Sequence, residues 1–285
     1  MMEHLITALK GFLMGAANVV PGVSGGTMAL ITGIYKDLVD AINGFASIST
    51  WKILFRGDLK GFWKAIKGPF LLSIGIGVVL SIFSLAKLMT FVLETYPVHT
   101  WSFFFGLIVA SAVLMFRGIK GWGLKDVLFT IAGIILGVVV CTLSPTETPD
   151  GWWFIFLCGA IAICTMILPG ISGSFILVIL SKYEYIMRAV SDLNIPVLTV
   201  FGLGCIIGIL AFSKFLHWLL ARAERQTMLV LLGFVLGSLV KVWPWANEQA
   251  SALPELHVGA AVIWCLIGIA VVAVIEILAK YKSKQ

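Results

Sequence analysis

Apolar residues in this chain come in long unbroken runs, not in the alternation of a strand or the stripe of a surface helix. Residues 70–85, 130–143, 154–168 and 258–278 carry at most one charge each and approach or exceed the roughly 17–25 residues a helix needs to cross a hydrocarbon core. The period-2 alternation of a transmembrane barrel is absent. The pattern predicts an all-α polytopic integral membrane protein.

The runs repeat. Pro21-Gly22-Val23-Ser24-Gly25-Gly26 recurs 148 residues later as Pro169-Gly170-Ile171-Ser172-Gly173-Ser174, and Tyr35 is matched by Tyr183. Further on, Pro69, Gly75, Gly77, Lys87, Gly106 and Ser111 align at one common offset with Pro196, Gly202, Gly204, Lys214, Gly233 and Ser238, and Gly133 matches Gly268. The chain therefore reads as two homologous halves, 1–147 and 148–285, forming one transport domain. Each half has a broken helical hairpin, 5–45 or 152–193, followed by three long apolar helices. These are 70–93, 101–116 and 127–143 in the first half, and 197–220, 228–242 and 258–279 in the second. Three crossings per half are odd. If each hairpin is re-entrant, leaving by the side it entered, the halves insert upside down relative to each other, as in many secondary transporters. Two full crossings per hairpin would leave the same parity.

Charge bears on this topology. Only 12% of the 285 residues are charged, about half the share of a soluble domain, so a soluble fold is excluded. Of 20 Lys and Arg, fifteen fall in segments expected on the N-terminal side of the membrane and three (Lys182, Arg188, Lys241) on the other, a positive-inside distribution with both termini cytoplasmic in a bacterial inner membrane. The net charge of +6 thus marks topology, and anionic lipids are the expected partner in place of nucleic acid. Residues 51–67 set Lys52, Arg56, Lys60, Lys64 and Lys67 among aromatics, which suggests an amphipathic helix on the anionic leaflet. The apolar N-terminal stretch lacks a small-residue cleavage site and runs into the first motif, so it is expected to stay in the mature fold. The five cysteines and four histidines show no metal-ligand spacing, so neither a metal nor a cofactor is expected.

The breaks suggest chemistry. Gly, Pro and Ser within an apolar stretch free backbone groups that hydrocarbon cannot satisfy, so such segments line a protein-enclosed or watery cavity. Helix starts near Ser24, Gly25, Gly26 and Thr27, and near Ser172, Gly173 and Ser174, would offer N–H groups, dipole ends and hydroxyls to an oxyanion. Lys87 and Lys214 lie inside apolar runs at matched positions, where a cation costs a few kcal/mol and is a functional candidate; snorkelling to the interface is the competing reading. Asn18, Arg117 and Arg188 are accessory candidates. Asp37, Glu94 and Glu184 are carboxylates near enough to spans to exchange a coupling proton or help hold Na+.

The stretch Gly15 to Ala29 (GAANVVPGVSGGTMA), with Gly33-Ile34-Tyr35 and the later Leu168 to Ser174 (LPGISGS), resembles a bacterial and archaeal membrane family, formerly a domain of unknown function, associated with polyprenyl-phosphate transport. The resemblance covers nearly the whole chain. It implies a translocase that returns undecaprenyl phosphate, the lipid carrier of cell-envelope synthesis, from the outer to the inner leaflet. The residues themselves indicate an anion site between inverted repeats and leave a small-anion carrier coupled to an ion as an alternative. A membrane lipid-phosphate enzyme is a weaker alternative, because no His or carboxylate recurs beside either motif. Oligomeric state, including a homo-oligomer, is left open by the pattern.

Overall fold

A computed structural model describes residues 2–19, 24–145, 148–149, 151–245 and 258–282, and among them every regular element is helical. The first half contains α1 (Met2–Val19), α2 (Gly25–Ile31), α3 (Tyr35–Ala46), α4 (Ile48–Phe55), α5 (Leu59–Ala65), α6 (Gly68–Thr95), α7 (Pro97–Gly118) and α8 (Leu124–Thr142). The second contains α9 (Trp152–Ile167), α10 (Gly173–Ile179), α11 (Tyr183–Ser191), α12 (Ile195–Gly237) and α13 (Val258–Lys282). Four helices are long and apolar enough to cross a membrane: α6, α7, α8 and α12; α9 and α13 supply shorter apolar stretches. Exposed Phe83, Leu124, Ile135 and Leu203 on these helices would be untenable in water and are ordinary against lipid.

One expectation is met with a sharper joint and one needs correction. The spans expected at 197–220 and 228–242 are two helical arms, numbered together as α12, that meet at a kink at Ala223 (φ −146°, ψ 53°). The polar segment around Arg222, Glu224 and Arg225 holds neither Gly nor Pro, so the helix is interrupted at a single residue and not by a loop. The amphipathic segment 51–67 is two helices. Gly57 takes φ 81°, a left-handed conformation that ends α4, and the Asp58 side chain restarts the chain as α5 by accepting the Gly61 N–H at 2.8 Å.

The repeat recurs as local structure. Helices α2 and α10 are each seven residues long and lie 148 residues apart, each capped by a serine, Ser24 or Ser172. Each is followed by a residue at positive φ, Gly33 at 72° and Ser181 at 51°, before α3 or α11 begins on a tyrosine. The close helix crossings repeat too. Gly77 of α6 lies against the Ala8 carbonyl of α1, while its counterpart Gly204 of α12 lies against Phe156 of α9, the counterpart of Ala8. Contacts of Gly11 with Ile74 and Gly15 with Val78 make α1 and α6 run in the same direction, as Gly204 with Phe156 and Gly208 with Ala160 do for α9 and α12.

Packing divides the chain differently from repetition. One compact unit comprises Met1–Ser84 with Leu143–Met228, and the other Leu85–Thr142 with Leu229–Gln285; each draws on both halves. In the first, Ile155, Ile186, Ala189 and Val197 form a buried cluster backed by Phe201. In the second, the last helices of the halves are exchanged. Gly106 of α7 lies on Cys265 of α13, and its counterpart Gly233 of α12 lies on Thr130 of α8. Gly133 and Gly137 of α8 meet the end of α12 where it carries Gly233 and Gly237, so two small-xxx-small faces close on each other.

Candidate substrate site at the paired helix breaks

Both breaks lie in the first compact unit, and they are hydrogen-bonded to each other. Pro21 and Gly22 lie outside the described residues. Ser24 is extended (φ −108°, ψ 135°), as an N-cap must be, and is buried at 1% exposure. Its hydroxyl accepts the Gly26 N–H at 3.1 Å and donates to the Leu168 carbonyl at 3.1 Å. The Asn18 side-chain oxygen accepts the Gly25 N–H at 2.8 Å. Thr27, also 1% exposed, accepts the Gly170 N–H at 2.7 Å. Gly170 has φ 95°, so the turn that ends α9 orphans an amide and a carbonyl, and the first motif supplies both partners. Buried backbone groups at a broken helix need such partners. Gly26 lets this happen, since a Cβ there would sit 2.5 Å from the Ile167 carbonyl oxygen.

The second break has no such cover. Ser172 caps α10 by accepting the Phe175 N–H at 3.3 Å, and its hydroxyl lies 3.1 Å from that of Ser174. Ser174 is exposed and Ser172 half-buried. Gly173 backs onto the Ala162 carbonyl, 2.6 Å from where its Cβ would lie. The residues that close the first break are missing from the second: Phe175 stands where the first copy has Thr27, and exposed Met166 stands where it has Asn18.

The other expected residues are dispersed. Lys214 is exposed on α12. Arg188 is exposed in the last turn of α11, and Arg117 in the last turn of α7. Among the described residues neither Lys214 nor Arg188 makes a hydrogen bond or ion pair to either motif. Lys87 and Glu94 are on α6, but their side chains lie outside the described residues. Glu184 is exposed in the first turn of α11. Among the described residues no three His, Cys, Asp or Glu gather in a metal-binding group.

Asp37 belongs to a cluster that the sequence did not reveal. Lys67 Nζ lies 2.8 Å from Asp37 and 3.4 Å from Asp40, His217 Nδ1 lies 2.9 Å from Asp40, and Lys36 pairs with Glu224 at 2.9 Å. Partial burial acts to lower the Lys67 pKa, but the hydrogen bonds and charges of Asp37 and Asp40 outweigh it and raise the value above the ordinary 10.5. The cluster ties α3, the start of α6 and the later part of α12's first arm together. Its members are up to 188 residues apart in sequence (Lys36 to Glu224), so no spacing rule points to it. Lys182 was also missed: it is 4% exposed, donates to the Thr148 carbonyl at 3.0 Å and sits 5.8 Å from the Phe154 ring centre.

The family described as "VCA0040-like: Undecaprenyl phosphate translocase-like" matches residues 14–258. A protein of Vibrio cholerae serotype O1 named polyprenyl-phosphate transporter is 45% identical over 265 residues, covering 90% of this chain and 85% of the relative. A Staphylococcus aureus protein of the same name is 33% identical over 257 residues, covering 84% of this chain and 86% of the relative. No solved structure matches. With both breaks inside the matched span, the chain belongs to the undecaprenyl phosphate translocase-like family.

Proposed function

We propose that this protein transports polyprenyl phosphate, undecaprenyl phosphate in particular, from the outer to the inner leaflet of the bacterial cytoplasmic membrane. The family match and the names of two relatives that cover most of the chain support the substrate class and a transporter over an enzyme. The observation that carries the site is the reciprocal hydrogen bonding of the two breaks, Ser24 to Leu168 and Gly170 to Thr27. It puts irregular backbone from both repeats side by side in the interior of apolar segments, where it lines a cavity or is closed by a partner.

Re-entrant, inverted hairpins fit this geometry. Helix α6 departs from the Lys67–Asp40–His217 cluster while α12 arrives at it, 22 residues after its own start (His217 from Ile195). The two helices therefore run in opposite senses, as inversion requires. The phosphate binds at the open second break, through the Ser172 and Ser174 hydroxyls, with Lys214 drawing it in. The isoprenoid tail stays in lipid along the exposed apolar faces. In the opposite-facing state the copies exchange roles: the Ser24–Leu168 and Thr27–Gly170 bonds open, the first motif takes the head group, and Lys87 serves as Lys214 did. Protons or sodium ions bound at Asp37, Glu94 or Glu184 would couple the exchange to a gradient.

Leaflet-resolved flipping of undecaprenyl phosphate in liposomes containing the purified protein tests this reading. Faster flipping than in protein-free liposomes, under a proton or a sodium gradient, is expected. Equal rates under both gradients would refute transport of this lipid.

A further inference from the structure

Beyond transport, we propose that a basic pocket beneath α5 and α6 binds the phosphate head group of a resident anionic glycerophospholipid. The pocket has a volume of about 510 Å3 and is lined by Lys60, Lys64 and Lys67, with Trp63 and Phe70 as apolar walls and Asp37 as the acidic group. Lys67 is committed to Asp37 and Asp40. Lys60 and Lys64 are exposed and have no hydrogen-bond or ion-pair partner among the described residues. With Lys67 paired to carboxylates, the ammonium groups of Lys60 and Lys64 are the positive charges of the pocket left for an anion.

The adjoining helices set the depth of this pocket. Along α4 and α5 the apolar stripe Trp51, Phe55, Leu59 and Trp63 is exposed, and each member is followed by a cation: Lys52, Arg56, Lys60 and Lys64. A helix pair with this pattern rests its apolar stripe at the acyl boundary and holds its cations at the level of lipid phosphates. From the pocket α6 rises with Leu72, Ile76, Val79 and Phe83 exposed, a lane for acyl chains continuous with the head-group position.

The repeat indicates which lipid this is. The second half has no counterpart of α4 and α5, because α11 ends at Ser191 and α12 begins at Ile195. A transport path must serve both faces of the membrane, whereas this pocket takes its unpaired cations Lys60 and Lys64, and Trp63, from an insertion present in one repeat alone. The ligand is therefore a bilayer phospholipid that stays in place, on the leaflet where the cations cluster.

The test uses the full chain in phosphatidylcholine nanodiscs, with native mass spectrometry counting retained phosphatidylglycerol. One retained phosphatidylglycerol per chain is expected for the wild type. Lys60→Gln with Lys64→Gln should weaken retention by about thirtyfold, Lys64→Arg should preserve it, and Lys52→Gln with Arg56→Gln, an equal loss of charge beside the pocket, should leave it unchanged. Equal losses in the two double variants would reduce the effect to general surface attraction and overturn the site. So would retention of phosphatidylcholine as strong as that of phosphatidylglycerol. Undecaprenyl phosphate should fail to displace the retained lipid; one-for-one displacement would make the pocket a station of the transport path and overturn a resident lipid. Normal flipping with no retained lipid would sink this proposal and leave the transport reading standing.

Discussion

Around Ser24 and around Ser172 the chain does the same thing and ends with opposite exposures. In both places an apolar helix stops, a serine in extended conformation caps a seven-residue helix, and a residue at positive φ leads into a third helix. At the first break the Ser24 and Thr27 hydroxyls and the Gly25 and Gly26 amides are paired, by Asn18, by the serine itself or by the turn of the other copy. At the second, a pair of serine hydroxyls faces outward. The difference comes from two side chains: Thr27 and Asn18 in one copy against Phe175 and Met166 in the other. Conserved local geometry with unequal closure is what an alternating site needs, since one copy holds the structure together while the other is available to a ligand.

The largest effect that would sharpen this contrast is steric. Gly26→Val places atoms into the Ile167 carbonyl and should cost about 3 kcal/mol, the upper range of overpacking, seen as loss of folded protein in detergent melts. Ser174→Val at the matched exposed position should cost about 0.5 kcal/mol or less. Equal destabilisation would dissolve the asymmetry. Next is Thr27→Val, which leaves the buried Gly170 N–H without its acceptor and should cost about 2 kcal/mol. Thr27→Ser should recover most of it in the same melts. Ser24→Ala, losing a cap and an inter-copy bond, should cost about 1–2 kcal/mol, whereas Ser172→Ala should cost about 1 kcal/mol or less and act mainly on transport.

Smallest is Lys67→Gln at the exposed ion cluster, worth less than about 1 kcal/mol. Because the Lys67 pKa is raised on folding, that stabilisation is complete below its ordinary value of 10.5 and fades only as pH climbs through the higher folded value. The melting difference between wild type and variant should hold constant through neutral pH and vanish in strong alkali.

Much of the fold was legible because close helix crossings demand small residues. Of the glycines that align between halves, Gly77 with Gly204, Gly106 with Gly233 and Gly133 with Gly268 have Cβ positions that fall on a neighbouring backbone, whereas Gly75 and Gly202 have open space there. A glycine announces that something approaches and not what approaches, so the exchange of α8 and α13 between halves could not be read from it. The kink at Ala223 uses neither Gly nor Pro, and it was legible only through the charged segment around Arg222, Glu224 and Arg225 that separates the two apolar runs. At the breaks the matched serines were visible. The pairing of the first copy's hydroxyls with Leu168 and Gly170 was not, because backbone partners carry no side-chain signature.

In this state the open second break takes the phosphate while the closed first break holds the two copies together. Leaflet-resolved flipping by Ser172→Ala with Ser174→Ala, in liposomes matched for folded protein, tests it most directly. A melting temperature close to wild type with flipping reduced by at least about tenfold is expected, as when a ligand loses two hydroxyl contacts. Wild-type flipping by that variant would contradict it.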